Sequence, residues 1–173
     1  IFRTNDGSDG TSPTERVRID SNGSILTATL GTDNVHLGEG AGASITSGGN
    51  QNTLIGKDAG TALTTGDRNT LVGATAGDSI VGAERNTAVG YGALHTETEG
   101  DRSTAVGTFA LSTQDTSGGG NVYNTAVGYG AGNVVTTGTG NTLIGGIAGD
   151  ALTVGSNNIA VGYQALSADT KGN

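Results

Sequence analysis

The pattern Asn-Thr-x-(Val/Ile)-Gly returns along the chain at a period close to 17 residues, and that period constrains the fold more than any other feature. Eight units begin at Asn34, Asn52, Asn69, Asn86, Ser103, Asn124, Asn141 and Asn158, with spacings of 18, 17, 17, 17, 21, 17 and 17. The fourth residue of each is a branched aliphatic: Leu37, Ile55, Val72, Val89, Val106, Val127, Ile144 and Val161. The fifth is always glycine, from Gly38 to Gly162, and the eighth is always alanine, from Ala41 to Ala165. A second glycine lies near the end of most units, as at Gly66, Gly82, Gly100 and Gly155.

A period this short excludes the helical repeat families and predicts an all-β parallel β-roll or β-helix solenoid with one coil per unit. Seventeen residues accommodate two strands of about five residues and two tight turns. Eight coils stacked at about 4.8 Å make a section on the order of 40 Å long. Composition agrees, because 33 glycines, 3% aromatics and no Trp, Met or Cys leave only small side chains to fill an interior. Val, Ile and Leu at fixed offsets separate the chain from a disordered one.

The ninth and twelfth residues exchange roles. Where the ninth is glycine (Gly42, Gly60, Gly77, Gly132, Gly149), the twelfth is aliphatic (Ile45, Leu63, Ile80, Val135, Leu152). Where the ninth is leucine (Leu94, Leu111, Leu166), the twelfth is polar (Glu97, Gln114, Asp169). One interior slot per coil filled from either position would keep core volume constant. The third residue is also apolar in most units: Leu54, Leu71, Ala88, Ala105, Ala126, Leu143 and Ala160. Neighbouring strand positions point to opposite faces, so both faces ask for a covering. Assigning the fourth residue to the coil interior leaves the third-position residues as an interface with further copies of the chain; an exposed apolar stripe is the alternative. The opening asparagines would form a ladder of amides bonded from coil to coil. Thr53, Thr70, Thr87, Thr104, Thr125 and Thr142 would form a parallel column on the fourth residue's face, and so inside the coil. An ice-binding solenoid is the reading that would place this column outside.

The net charge of −8 argues against nucleic acid and anionic membrane surfaces as partners. No apolar run reaches the length of a transmembrane helix, no signal peptide is visible, and membrane insertion is not expected. Residues 1–33 stand outside the repeat and read as a linker and hairpin leading into the solenoid of residues 34–173. In TERVRIDSNGSI (14–25), Val17 and Ile19 alternate with charges, and Asn22-Gly23 is a tight-turn signal. Pro13 and the glycine-rich stretch before it read as a linker.

The segment ERVRIDSNGSI resembles the E-R-M-R-I-D-S-S-G-N segment of bacteriophage tail fibre proteins. NTAVGYGAL (86–94) is similar to the N-T-A-V-G-x-x-A-L repeats of the same fibres. More loosely, the units resemble the S-x-A-I-G repeats in the heads of trimeric autotransporter adhesins, which are left-handed β-rolls. The resemblance implies left-handed coils, a homotrimeric fibre and a role in host attachment. It implies location in the virion, and partners that are other copies of the chain together with a bacterial surface polysaccharide or outer-membrane receptor. The 17-residue unit is longer than that of the adhesin heads, so the turns must differ.

Little points to catalysis, and no cofactor is expected. His36 and His95 lie about three coils apart, roughly 15 Å of rise. Glu97, Glu99 and Asp101 cluster, and acid pairs serve glycoside hydrolysis, which keeps a glycan-degrading tailspike as the alternative. Three acids in one turn read more simply as a solvated edge. Calcium-roll turns of the G-G-x-G-x-D type are missing, since GGNQN (48–52) and GGGNV (118–122) lack the aspartate, and no metal site is expected. The insertion in the fifth unit, STQDTSGGGNVY (112–123), is the expected place for receptor recognition, through Gln114, Asp115, Asn121 and Tyr123, with a disordered glycine loop as the alternative. Tyr91, Tyr129 and Tyr163 share the sixth offset and form a separate surface column.

Overall fold

The structure, a computed structural model, describes residues 2–4, 14–19, 25–27 and 31–168. All of its regular structure is β. Strands β1 (Phe2–Thr4), β2 (Thr14–Ile19) and β3 (Ile25–Thr27) form an antiparallel sheet with β2 central. Val17 pairs with Thr27 and Ile19 with Ile25, which is the hairpin the alternation around Asn22-Gly23 predicts. The turn itself, Pro13 and Asp169 lie outside the described residues.

From residue 34 onward each unit makes one coil. Its Thr-x-(Val/Ile) triplet, rich in β-branched residues and stopped by the invariant glycine, is a strand of three residues. These strands are β4 (Val35–Leu37), β5 (Thr53–Ile55), β6 (Thr70–Val72), β7 (Thr87–Val89), β9 (Thr104–Val106), β11 (Thr125–Val127), β12 (Thr142–Ile144) and β13 (Ile159–Val161). They stack in sequence order into one parallel sheet, about seven turns of solenoid. The register is strict: Thr70 lies over Thr87, Leu71 over Ala88 and Val72 over Val89, and so on along the stack. Among the described residues the expected second strand appears only in coils four and five, as the two-residue strands β8 (Gly100–Asp101) and β10 (Gly120–Asn121). The rest of the coil is turns, whose amides still bond from coil to coil, as Thr64 N–H does to the Val81 carbonyl (2.9 Å). β10, in the insertion, pairs in parallel with β8, at the end of the fourth coil.

The two faces of the main sheet are the reverse of the sequence expectation. Leu54, Leu71, Ala88, Ala105, Ala126, Leu143 and Ala160 are sealed inside the coil, so they cannot be the interface between copies. They pack with the eighth-position alanines and the ninth- and twelfth-position side chains. The third residue therefore faces in, and by the two-residue period of a strand the second and fourth face out. Nothing in the triplet itself distinguishes the two solutions when third and fourth residues are both apolar. The turn does, because the glycine at position five places the chain so that position three meets positions eight, nine and twelve.

The expected choice between the ninth and twelfth positions does not hold, because in coils four and five Leu94 and Leu111 are buried together with the twelfth residues Glu97 and Gln114; the leucine alternates instead between the third and ninth positions. Coils two, three and seven carry leucine at the third position (Leu54, Leu71, Leu143) with glycine at the ninth. Coils four, five and eight carry alanine at the third (Ala88, Ala105, Ala160) and leucine at the ninth. A Cβ on Gly60 would sit 2.9 Å from a methyl of Leu71 and 3.1 Å from one of Leu54, so the leucines already occupy that space. The sixth coil has Ala126 and Gly132, and its neighbours fill it: a Cβ there would meet Leu143 at 2.6 Å and Leu111 at 3.0 Å. The polar twelfth residues Glu97 and Gln114 also point inward and are fully buried.

The asparagine ladder holds the stack together mainly through side chain to backbone bonds. Asn52 Oδ1 accepts the backbone N–H of Asn69 (2.8 Å), and its Nδ2 donates to the Gly66 carbonyl at the far end of its own coil (2.9 Å). Asn86 repeats this with Ser103 N–H (2.8 Å) and the Gly100 carbonyl (2.8 Å). Each buried amide thus satisfies backbone groups of two turns, which explains the constancy of a polar residue in the core.

Candidate functional site

Three surface features and one buried network stand out. The first is the outer face of the main sheet. Thr53, Thr70, Thr87, Thr104, Thr125 and Thr142 line it, half-buried by stacking on one another. The threonine column is therefore external, contrary to its expected place inside. Beside it runs the aliphatic column, most exposed at its two ends, Leu37 (66%) and Val161 (65%). This is an uncharged strip the length of the solenoid.

The second feature follows the turn after the strand. Tyr91, Tyr129 and Tyr163 are exposed at the sixth position, as their offset predicts. Between them, the seventh position contributes Phe109, exposed, and Ile147, half-buried. Each large residue at this turn lies over a small one in the preceding coil. A Cβ at Gly92 would be 3.0 Å from the Phe109 ring, and one at Gly130 would be 3.2 Å from Ile147 Cγ2. The Tyr91 and Phe109 rings meet edge to face at 5.2 Å. The sequence signal for the two additional residues is the alternation Tyr91-Gly92, Thr108-Phe109, Tyr129-Gly130, Gly146-Ile147, which only a sixth-and-seventh reading would catch.

The third feature is the insertion, and the structure divides its four predicted recognition residues. Gln114 is wholly buried: its Nε2 donates to Glu97 Oε2 (2.7 Å) and Ser103 Oγ (2.9 Å), while its Oε1 accepts from Asn124 Nδ2 (2.8 Å). It bridges the break in the ladder where Ser103 replaces asparagine, and is removed from the recognition set. Asp115 is half-buried and accepts from Thr98 Oγ1 (2.9 Å), a bond between coils. Asn121 and Tyr123 are exposed, and the guanidinium carbon of Arg102 lies 5.9 Å from the centre of the Tyr123 ring.

The buried network centres on Glu97, which is not part of a solvated acidic edge. Its Oε1 accepts from the backbone N–H groups of Gly100 (2.8 Å), Thr98 (3.0 Å), Glu99 (3.2 Å) and Thr116 (3.2 Å), and Thr116 Oγ1 reaches both carboxylate oxygens. Such a nest of donors satisfies a buried acid in full. Because Thr116 belongs to the insertion, the network also ties the insertion's first half to the fourth coil.

The histidines do not meet. His95 Nδ1 lies 2.6 Å from Asp78 Oδ1, one coil below. Burial holds the Asp78 carboxyl above the usual carboxylate range, and His95 pulls it partly back. His36 occupies the third, inward position of the first coil, its Nε2 buried without a hydrogen-bond partner, and burial lowers its pKa. Among the described residues no three His, Cys, Asp or Glu side chains converge to hold a metal ion, and no helix is long and apolar enough to cross a membrane. Comparison with models of known families, with curated proteins and with solved structures finds no match.

Proposed function

We propose that this chain is a structural, host-attaching segment of a bacteriophage tail fibre, a rod built from stacked coils that associates with two further copies of itself. The observation that carries the reading is the external aliphatic column from Leu37 to Val161, an uncharged face that runs the whole solenoid beside a row of threonines. A face of this kind on a chain with net charge −8 is what a second copy would cover. The resemblance of ERVRIDSNGSI and NTAVGYGAL to tail fibre segments gives the assembly its number and its setting in the virion. In this reading the fourth residues, and not the third, are the contact between copies. The fibre presents its turns and its insertion to a bacterial surface polysaccharide or outer-membrane receptor, and performs no catalysis.

The solution mass by light scattering tests it. A mass of three chains that falls to one when Val89 and Val106 are both changed to lysine supports the fibre. A monomeric chain would sink the trimer, and release of reducing sugars from a bacterial polysaccharide would replace attachment with degradation. Adsorption of labelled protein to bacterial cells tests attachment separately.

A further inference from the structure

The residue just before each unit's opening asparagine forms its own column on the turn that leads into the sheet. In three successive coils it is arginine: Arg68, Arg85 and Arg102. The next coil places Tyr123 there. All four adopt the left-handed conformation, with φ of 62°, 61°, 63° and 57°, so they leave the turn in the same direction. Their spacing is that of the coils, about 4.8 Å. Between residues 31 and 168 the chain has four basic residues, Lys57, Arg68, Arg85 and Arg102. Three of the four are thus gathered on one edge of an otherwise acidic rod.

Each arginine follows an acid: Asp67, Glu84 and Asp101. Two of these acids are committed to the turn of the preceding coil. Asp67 Oδ1 accepts the Asn50 backbone N–H (2.7 Å) and Asp101 Oδ1 that of Glu84 (2.7 Å). Their outer oxygens lie 3.8 Å from Arg68 Nη1 and Arg102 Nη1, long contacts that orient the guanidinium while leaving most of its five N–H groups free. Arg85 is in close contact with Glu84. The side chains of Arg68 and Arg102 are 47% and 33% exposed against 22% for each acid, so a ligand meets these two arginines first, while Arg85 (40%) must exchange its pairing with Glu84 (36%) for the ligand. At the end of the row, Arg102 stands over the ring of Tyr123, with exposed Asn121 beside it in the chain.

We infer that Arg68, Arg85, Arg102 and Tyr123 form a binding strip for an extended acidic polysaccharide, one anionic group meeting each guanidinium in turn and a sugar face resting on the tyrosine. A guanidinium fork matches a carboxylate or sulfate in two parallel hydrogen bonds, and a tyrosine offers an apolar face with a polar tip. A strip with one arginine per coil suits a linear polymer with a charge at each residue better than a single small anion. The acidic remainder of the molecule repels such a polymer elsewhere and confines it to this edge. The inference gives the attachment reading a ligand class and rests on that reading for its biological setting.

The test is binding of the full chain to polygalacturonate, which carries a carboxylate on every sugar, with dextran as the uncharged control. The strip predicts binding to polygalacturonate that weakens with added salt, and none to dextran. Changing Arg68, Arg85 and Arg102 together to glutamine should cost roughly ten-fold in affinity, with an unchanged unfolding temperature. Lys57→Gln, off the strip, should leave binding intact. Tyr123→Ala should weaken binding without altering its dependence on salt. No binding to polygalacturonate, equal binding to dextran, or a triple variant that binds as well as the parent would overturn it. Cell adsorption separates the two claims. Cells bound equally by the parent and the triple variant would remove the strip and leave attachment standing. Arginine-dependent polymer binding without adsorption to any cell would support the strip and remove attachment.

Discussion

Four backbone positions in each coil take positive φ, and they differ in what they tolerate. The residue before the opening asparagine and the seventh and ninth residues sit near +60°, where Arg68, Thr75, Phe109 and Leu94 are all accommodated at a cost of about 1 kcal/mol each. The fifth sits between 124° and 137°, and a Cβ there would reach the backbone of the next coil's glycine, 2.5 Å away at Gly90. That is why only the fifth glycine is invariant. Gly90→Ala should destabilise by more than about 2 kcal/mol, whereas Thr75→Gly should stay within about 0.5 kcal/mol of the parent, relief of the left-handed strain offsetting lost chain rigidity; denaturant melts distinguish them. His36 is the second residue with a measurable signature. Burial places its folded pKa below the ordinary 6.5, so the unfolded chain takes up the proton first. The stability present above pH 6.5 is then lost as pH falls from there toward the lowered folded value. His36→Leu, which matches Leu54 and Leu71 in the same register, should flatten the decline in unfolding temperature between about pH 7 and 5.5. Asp78, with its raised pKa, acts in the opposite sense, and subtracting the two profiles cancels it.

At the scale of a coil, the interior leucine comes from the third or the ninth position, and the sixth coil, which has neither, is filled by Leu111 and Leu143 of its neighbours. Leu94→Gly should cost about 2 to 3 kcal/mol, the loss of a buried leucine less the relief of its left-handed strain. Adding Ala88→Leu recreates the arrangement of Leu71 with Gly77 and should restore much of it; simple additivity of the two losses in urea unfolding would refute the shared slot. The insertion is governed by Glu97. Glu97→Gln keeps the volume but replaces an acceptor oxygen with a donor facing other donors, costing about 1 to 3 kcal/mol. It should release the segment from Ser117 to Asn121, read as faster nicking at Gly118 to Gly120 in limited proteolysis. The ninth and twelfth positions change together in the sequence, but the third position's share was hidden, because alanine and leucine are both ordinary strand residues. Gln114 read as a surface recognition residue because an insertion is usually exposed; its buried role depends on Ser103 and Asn124, which only stacking brings to it.

For the whole molecule, one long apolar face and one charged edge imply different behaviour under dilution and salt. If the fourth-position face joins copies, the unfolding temperature should rise with protein concentration, and Val89→Lys with Val106→Lys should abolish that dependence while leaving a folded monomer. Ala88→Lys, one residue from Val89, should instead unfold the coil, since it drives a charge into the sealed interior. If both sites gave the same result, the assignment of inner and outer faces would be wrong.

The sequence by itself determined the repeat, the register, the invariant turn glycine and the entering hairpin, because each is written as a period or as a pattern at fixed offsets. Only the tertiary structure decided which side of the strand faces in, that a second strand forms only beside the insertion, and that Glu97 and Gln114 lie in the core. It also brought Phe109 and Ile147 into line with the tyrosines and set the three arginines on one edge. The physical reason is that a strand's two faces are equivalent until a turn closes the coil, and turn geometry depends on backbone conformations and contacts between coils that no single unit contains.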